Sequence, residues 1–271
     1  MEEPSTPWTR CISTLGCPEA SLEEAIQLAA EHDVAALELR ALGGTIELPA
    51  YWHSRGETPA NVAQTVRQSG VPVAMLDTSM RLIGAPADAR EKLLEFVPWA
   101  EALGVRYLRA FDGGKRLGEG EIAEACSTLG WWREQRQRHG WRVDLAVETH
   151  DTLFSAAEIQ RLMAHTGPFP LLWDTHHTWK RGGEQLAVTW AGIHAHVVHL
   201  HVKDSVSLAN AKHPFTYVRP GDGEFPQAEL RSLLRDHPYR GTMSLEWERL
   251  WHPELEPLAT VLRAARDANW W

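Results

Sequence analysis

A chain of 271 residues, 44% hydrophobic and 23% charged, is long enough to bury one large core and has the composition of an ordinary globular domain. Its net charge of −9 excludes a basic footprint for nucleic acid. No apolar run approaches the length that spans a bilayer, and the polar, acidic start MEEPSTPWTR does not read as a secretory signal.

Strand and helix signals alternate from the beginning. ISTLG (12–16) reads as a first strand. A helix follows from Ser21, where Glu24 completes a capping box and positions 22, 25, 26, 29 and 30 are apolar. VAALELR (34–40) is the second strand, a helix over 58–69 ends at Gly70, and VPVAMLD (71–77) is the third strand. The next helix, about 87–103, stops at Gly104, because glycine adopts the left-handed cap at no steric cost. VRYLRAF (105–111) and a helix over 119–139, closed by Gly140, come next.

VDLAVE (143–148) leads to a helix over 155–165 with Ser155 as its cap, and PLLWD (170–174) to a helix near 183–193. VVHLHV (197–202), a helix over 226–236, TMSLEWE (242–248) and a helix over 255–268 complete the chain. Eight strands and eight helices in this length predict a closed (β/α)8 barrel, one domain over residues 1–271. RPGDGEF (219–225) reads as a tight turn; with no Lys-Ser/Thr after its glycines it is not a phosphate loop. The three cysteines, Cys11, Cys17 and Cys126, are odd in number and lack ligand spacing, as expected of free thiols in a reducing cytoplasm. Most of the thirteen tryptophans are expected in the core or a pocket wall, with Trp270 and Trp271 covering an apolar surface.

Four candidate metal ligands, Glu148, Asp174, His201 and Glu246, fall at or near strand ends, separated by 26, 27 and 45 residues. Those gaps fit one strand–helix unit each, the last with a long loop. Parallel barrel strands deliver their carboxyl ends to a common mouth, where three carboxylates repel one another unless a cation lies between them. Each residue has a plainer reading: an ion pair for Glu148, a cap for Asp174, a core imidazole for His201. Strand alternation in HLHVKD puts His199, His201 and Lys203 on one face. Lys203 has two readings of equal weight, a group that orients a substrate oxygen or neutralises a carboxylate, and a structural ion pair. In DTHH, His177 is the better cavity residue and His176 points elsewhere. Glu246 lies deeper than Glu248, which belongs to the rim. Arg109 and His150 are substrate-binding candidates, although an ion pair across the mouth is the commoner role for such an arginine. Glu38 and Arg40 share a face of the second strand.

At these residues the chain resembles the xylose isomerase-like TIM barrels of the sugar phosphate isomerase/epimerase superfamily. The resemblance runs through ISTLG, SLEEAIQLA, LELR, VETH, DTHH, HLHVKD, PGDGEF and SLEW. It implies one divalent ion, manganese first, with magnesium, cobalt and zinc as alternatives, held by Glu148, Asp174, His201 and Glu246. It also implies that Glu148 and Glu246 act as an acid/base pair and that His177 binds a substrate oxygen. The ketose 3-epimerase branch carries an arginine six residues beyond its metal histidine, where this chain has Ser207, so that assignment weakens. The extra histidines of the apurinic endonuclease branch are missing.

The expected activity is isomerisation or epimerisation of a sugar or polyol ketone, phosphorylated or not, by proton transfer through a metal-stabilised cis-enediolate. A dehydratase of inosose or dehydroshikimate type is the first alternative, a non-catalytic ligand-binding barrel the second. The expected partner is a small molecule, with no nucleic acid and no membrane; such barrels are commonly dimers or tetramers, so a homo-oligomer stays open.

Overall fold

The computed structural model describes residues 7–271; the first six residues of the polar amino terminus, on which the reading about a signal partly rests, lie outside the described residues. The strands are β1 (Thr9–Ser13), β2 (Ala36–Leu39), β3 (Val73–Ile83), β4 (Tyr107–Gly113), β5 (Asp144–Glu148), β6 (Leu171–Asp174), β7 (Val197–Val202), β8 (Asp204–Val206), β9 (Thr216–Val218) and β10 (Thr242–Leu245). Eight of them close a parallel barrel in the order β1-β10-β7-β6-β5-β4-β3-β2. Ring closure pairs Ile12 of β1 with Leu245 of β10. The helices are α1 (Leu22–Glu31), α2 (Leu48–Ser54), α3 (Pro59–Ser69), α4 (Ala89–Leu103), α5 (Glu119–His139), α6 (Ala156–Thr166), α7 (Leu186–Ile193), α8 (Gln227–Asp236) and α9 (Leu258–Asp267). No helix among the described residues is long and apolar enough to cross a membrane.

Local chemistry sets the boundaries that the sequence announces. Ser21 accepts from the backbone N–H of Glu24 while the Glu24 carboxylate accepts from that of Ser21, the reciprocal cap at the start of α1. Gly104 and Gly140 close α4 and α5 at φ of 72° and 67°, a conformation that a Cβ would strain. The barrel interior alternates with the outer wall. Met75, Ala146 and Leu172 form a small apolar cluster, and one step further along the same strands lie Asp77, Glu148 and Asp174. The larger apolar core lies between strands and helices. Trp52 stacks on Trp99 there at 4.6 Å, and the terminal Trp270 and Trp271 are buried in it.

Five local expectations need correction. The first strand is Thr9–Ser13 rather than ISTLG (12–16); Thr14–Gly16 instead turn in a 3-10 helix, where the Thr14 hydroxyl accepts from the N–H groups of Arg40 and Ala41. Strand β3 runs on to Ile83, because Met80, Leu82 and Ile83 are buried and Arg81 and Ile83 continue the pairing with β4 across a register shift. Helix α2 was not expected; seven residues are too short for periodicity to register. DTHH leads into a π-type turn, His177–Arg181, and the helix after it begins only at Leu186. Finally, β8 and β9 add an antiparallel ribbon outside the barrel. The turn RPGDGEF wraps around the buried Asp204, which accepts from the backbone N–H groups of Gly221, Gly223 and Phe225.

Candidate metal centre

The ends of β5, β6, β7 and β10 meet at one mouth. Asp174 and His201 are register partners across β6 and β7, and Glu246, one residue beyond β10, still donates its N–H to the Val202 carbonyl. One donor atom each from Glu148, Asp174, His201 and Glu246 lies within 4.8 Å of all the others, and all four residues are buried. His201 Nδ1 stands 3.3 Å from Glu148 Oε1, 3.3 Å from Glu246 Oε2 and 4.0 Å from Asp174 Oδ2.

The orientation of that imidazole is fixed from behind. Its Nε2 lies 2.9 Å from Glu38 Oε1, while His199 Nε2 lies 2.7 Å from Glu38 Oε2. A carboxylate accepts only, so Nε2 carries a proton donated to Glu38, and Nδ1 is the nitrogen turned toward three carboxylates. Neither His201 Nδ1 nor Asp174 Oδ2 has a properly angled hydrogen bond, although the Lys203 ammonium lies 2.9 Å from the latter. Anions crowded around that nitrogen in a dry site call for positive charge between them, a proton in the metal-free protein or a metal ion in its place. The donor set therefore fits a divalent metal, backed by a carboxylate–imidazole pair that holds the ligand ring.

Charge supports the same fit. Lys203 bonds Glu246, approaches Asp174, and reaches Glu248 Oε1 at 2.8 Å, while Arg109 bonds Glu148 Oε2 at 2.6 Å. Four carboxylates, Glu148, Asp174, Glu246 and Glu248, meet only the two permanent cations Lys203 and Arg109 in these ion pairs. The protonation of the metal-free site follows from this crowding. Burial raises Glu148, but Arg109 and His201 outweigh it and hold its pKa at about 2. Glu246 is likewise drawn well below the ordinary carboxylate value by His201 and Lys203 against burial. Burial, opposed by Lys203 and reinforced by Glu246, pushes Asp174 up to about 6. Burial alone would depress His201, yet Glu246, Glu38 and Glu148 raise it well above its usual value, so a metal must displace its proton.

A cleft opens above this floor, lined by Leu15, Arg40, Arg109, Phe111, Glu148, His150, His177, Glu246, Glu248 and Trp251. Of the sequence candidates, His177 and His150 both reach it. The His177 Nδ1 lies 3.0 Å from the Thr149 carbonyl, and burial with nearby Lys203 keeps the ring neutral. His150 sits edge-on to His177, its ring centroid 4.9 Å away. Its loop is pinned by Asp112, whose carboxylate accepts from the N–H groups of Asp151, Thr152 and Leu153. His176 turns away, as expected, to Ser205 Oγ at 2.8 Å. Lys203 and Arg109 are both held in ion pairs, and Arg109 also lies 3.9 Å over the Phe111 ring. Glu248 is partly exposed and takes a hydrogen bond from the Tyr217 hydroxyl at 2.7 Å. Two residues escaped assignment from sequence: Glu38, whose partners are 161 and 163 residues away, and Arg40 beside it. Their shared face in LELR was the only signal.

A family model described as xylose isomerase-like TIM barrel matches residues 26–268. The chain belongs to this family. No curated protein matches it. Among solved structures, the xylose isomerase-like barrel resembles the probable 3-DHS dehydratase AsbF from Bacillus anthracis, involved in petrobactin synthesis, at a TM-score of 0.76 and 17% identity, covering 95% of this chain and 98% of that one. It is similar to a xylose isomerase domain containing protein of Salmonella typhimurium LT2, at 0.74 and 15%, with 98% of each chain covered. An IolI protein with a bound zinc atom matches at 0.72 and 14%, with 96% of each chain covered. At these identities the likeness is one of fold.

Proposed function

We propose that this xylose isomerase-like barrel is a divalent-metal-dependent isomerase or epimerase of a sugar or related polyol ketone, with manganese as the preferred ion. The observation that carries it is the convergence of three buried carboxylates on Nδ1 of a histidine whose other nitrogen is tied to Glu38. Glu148, Asp174, His201 and Glu246 would hold the ion. An oxygen-rich set with one imidazole suits manganese, magnesium or cobalt. When bound, the ion would stabilise negative charge building on the substrate's carbonyl and hydroxyl oxygens.

The chain's own residues supply the rest. Glu148 and Glu246 are ionised at neutral pH and stand on different strands of the mouth, so either can remove a proton next to the carbonyl; the other returns one after taking a proton from solvent. Return to the opposite face gives an epimer; return to the adjacent carbon interconverts aldose and ketose. His177, neutral and anchored through Nδ1, presents Nε2 to a substrate oxygen, and Arg109 keeps Glu148 in place. The barrel is read as one domain acting on a small molecule.

One observation favours the dehydratase reading. Burial lowers His150, but Asp151 and Glu148 raise it above its ordinary value, which puts a proton donor on the cleft wall where a departing β-hydroxyl needs one. Manganese-loaded protein incubated in D2O with ketoses, aldoses and inososes separates the readings. Deuterium incorporation without loss of water supports the isomerase, and growth of a conjugated enone supports the dehydratase. Protein that takes up no divalent ion would leave only a non-catalytic barrel.

A further inference from the structure

Three cationic side chains line or underlie the cleft, and two are matched by carboxylates. Arg109 is paired with Glu148 and lies 3.6 Å from Asp77, and Lys203 sits among Asp174, Glu246 and Glu248. The third, Arg40, follows directly on β2, lines the cleft and is only 5% exposed. Its guanidinium makes two long hydrogen bonds, 3.5 Å from Nη1 to the Asp77 carbonyl and 3.2 Å from Nη2 to Ser79 Oγ. Among the described residues it forms no ion pair.

Taking a guanidinium out of water without an anion is unfavourable, and natural interiors pair such groups. Burial and the neighbouring Arg109 lower Arg40 to about 10, opposed by the carboxylates of Asp77, Glu148 and Glu246 beyond ion-pair distance, which still leaves it charged at neutral pH. The fork of an arginine matches a carboxylate bidentately. We propose that Arg40 receives a carboxylate of the substrate, so that the cleft takes a hydroxylated carbonyl compound bearing a carboxylic acid. This rests on the metal-enzyme reading for the reacting end of the molecule.

A carboxylate fits better than a phosphate. One unmatched guanidinium balances one negative charge, and Glu246 and Glu248 on the same cleft repel a dianion. Leu15, Phe111 and Trp251 supply an apolar wall for the carbon skeleton between the two ends, and Trp251 is 45% exposed at the rim.

The test titrates wild type, Arg40→Gln and Arg40→Lys, each manganese-loaded and metal-free, with shikimate, gluconate and glucuronate and with their neutral methyl esters. Wild type is expected to bind at least one acid tenfold or more tightly than its ester. Arg40→Gln should erase that preference while keeping the ester affinity, and Arg40→Lys should keep part of it. The metal-free arm removes chelation of the ion by the acid as a cause, and thermal melts check that each variant is folded. No acid preference in wild type, equal weakening of acid and ester in Arg40→Gln, or tighter binding of glucose 6-phosphate than of the acids overturns the proposal. Failure of wild type to take up manganese, with the acid preference intact in the metal-free arm, instead sinks the metal-enzyme reading alone.

Discussion

Glu38 touches no expected substrate atom, yet it should control metal affinity. Its two oxygens lie 2.9 Å from His201 Nε2 and 2.7 Å from His199 Nε2, and all three residues are buried. Glu38→Leu removes the acceptor that, among the described residues, holds a proton on Nε2 of His201. When the ring gives up one proton it can then keep the other on Nδ1, where it blocks the ligand position, and the ring is free to turn. Loss of an outer-shell partner of this kind lowers metal affinity about 10- to 100-fold, equivalent to about 1.4–2.7 kcal/mol. Glu38→Gln keeps an oxygen for one histidine and offers an N–H to the other, so an intermediate loss is expected. Manganese titration followed by electron paramagnetic resonance, with calorimetry at pH 7, measures the effect directly. A folded Glu38→Leu protein that binds manganese within twofold of wild type would refute the reasoning, since the His201 orientation would then need no support from behind.

Three further outcomes follow from the same geometry. Glu246→Gln and Asp174→Asn should each lose stoichiometric manganese, read by elemental analysis after gel filtration, and lower solvent proton exchange by about 100-fold or more. Manganese affinity should fall by about 100-fold per pH unit below pH 6: the ion must displace the His201 proton and also a proton on Asp174, whose pKa is raised to about 6 in the metal-free fold. The same raised value makes the metal-free protein lose stability as pH rises from about 4 through 6, whereas a flat denaturation midpoint over that window would contradict it. Gly223→Ala should lower the melting temperature by roughly 5 °C, an overpacking cost of about 2 kcal/mol, because its Cβ would lie 2.0 Å from Asp204 Oδ1 and break the cage that holds RPGDGEF; an unchanged melt would show that the turn moves aside freely.

Much of the barrel was legible because its signals are local. The Ser21–Glu24 cap, the glycines at 104 and 140 and the 119–139 helix each depend on residues within a few positions of one another. The metal quartet was legible for a different reason: a carboxylate or imidazole at the end of an apolar strand is conspicuous, and parallel strands send such ends to one mouth. Helix α2 and the β8–β9 ribbon were not, since seven and three residues carry too little periodicity. Glu38 stood on the page as half of a shared strand face, with nothing nearby to say that two histidines on β7 would bind it.

The residues by themselves determined the alternation of elements, their caps and which side chains would reach the strand ends, because propensity, capping and period act over a few residues. Only the folded ring decided that Ile12 meets Leu245, that His201 turns Nδ1 toward three carboxylates, and that Arg40 is left without an anion of its own. Those facts depend on groups brought together from opposite ends of the chain, where distance in space and access to water, rather than neighbours in sequence, set the energy of every charge.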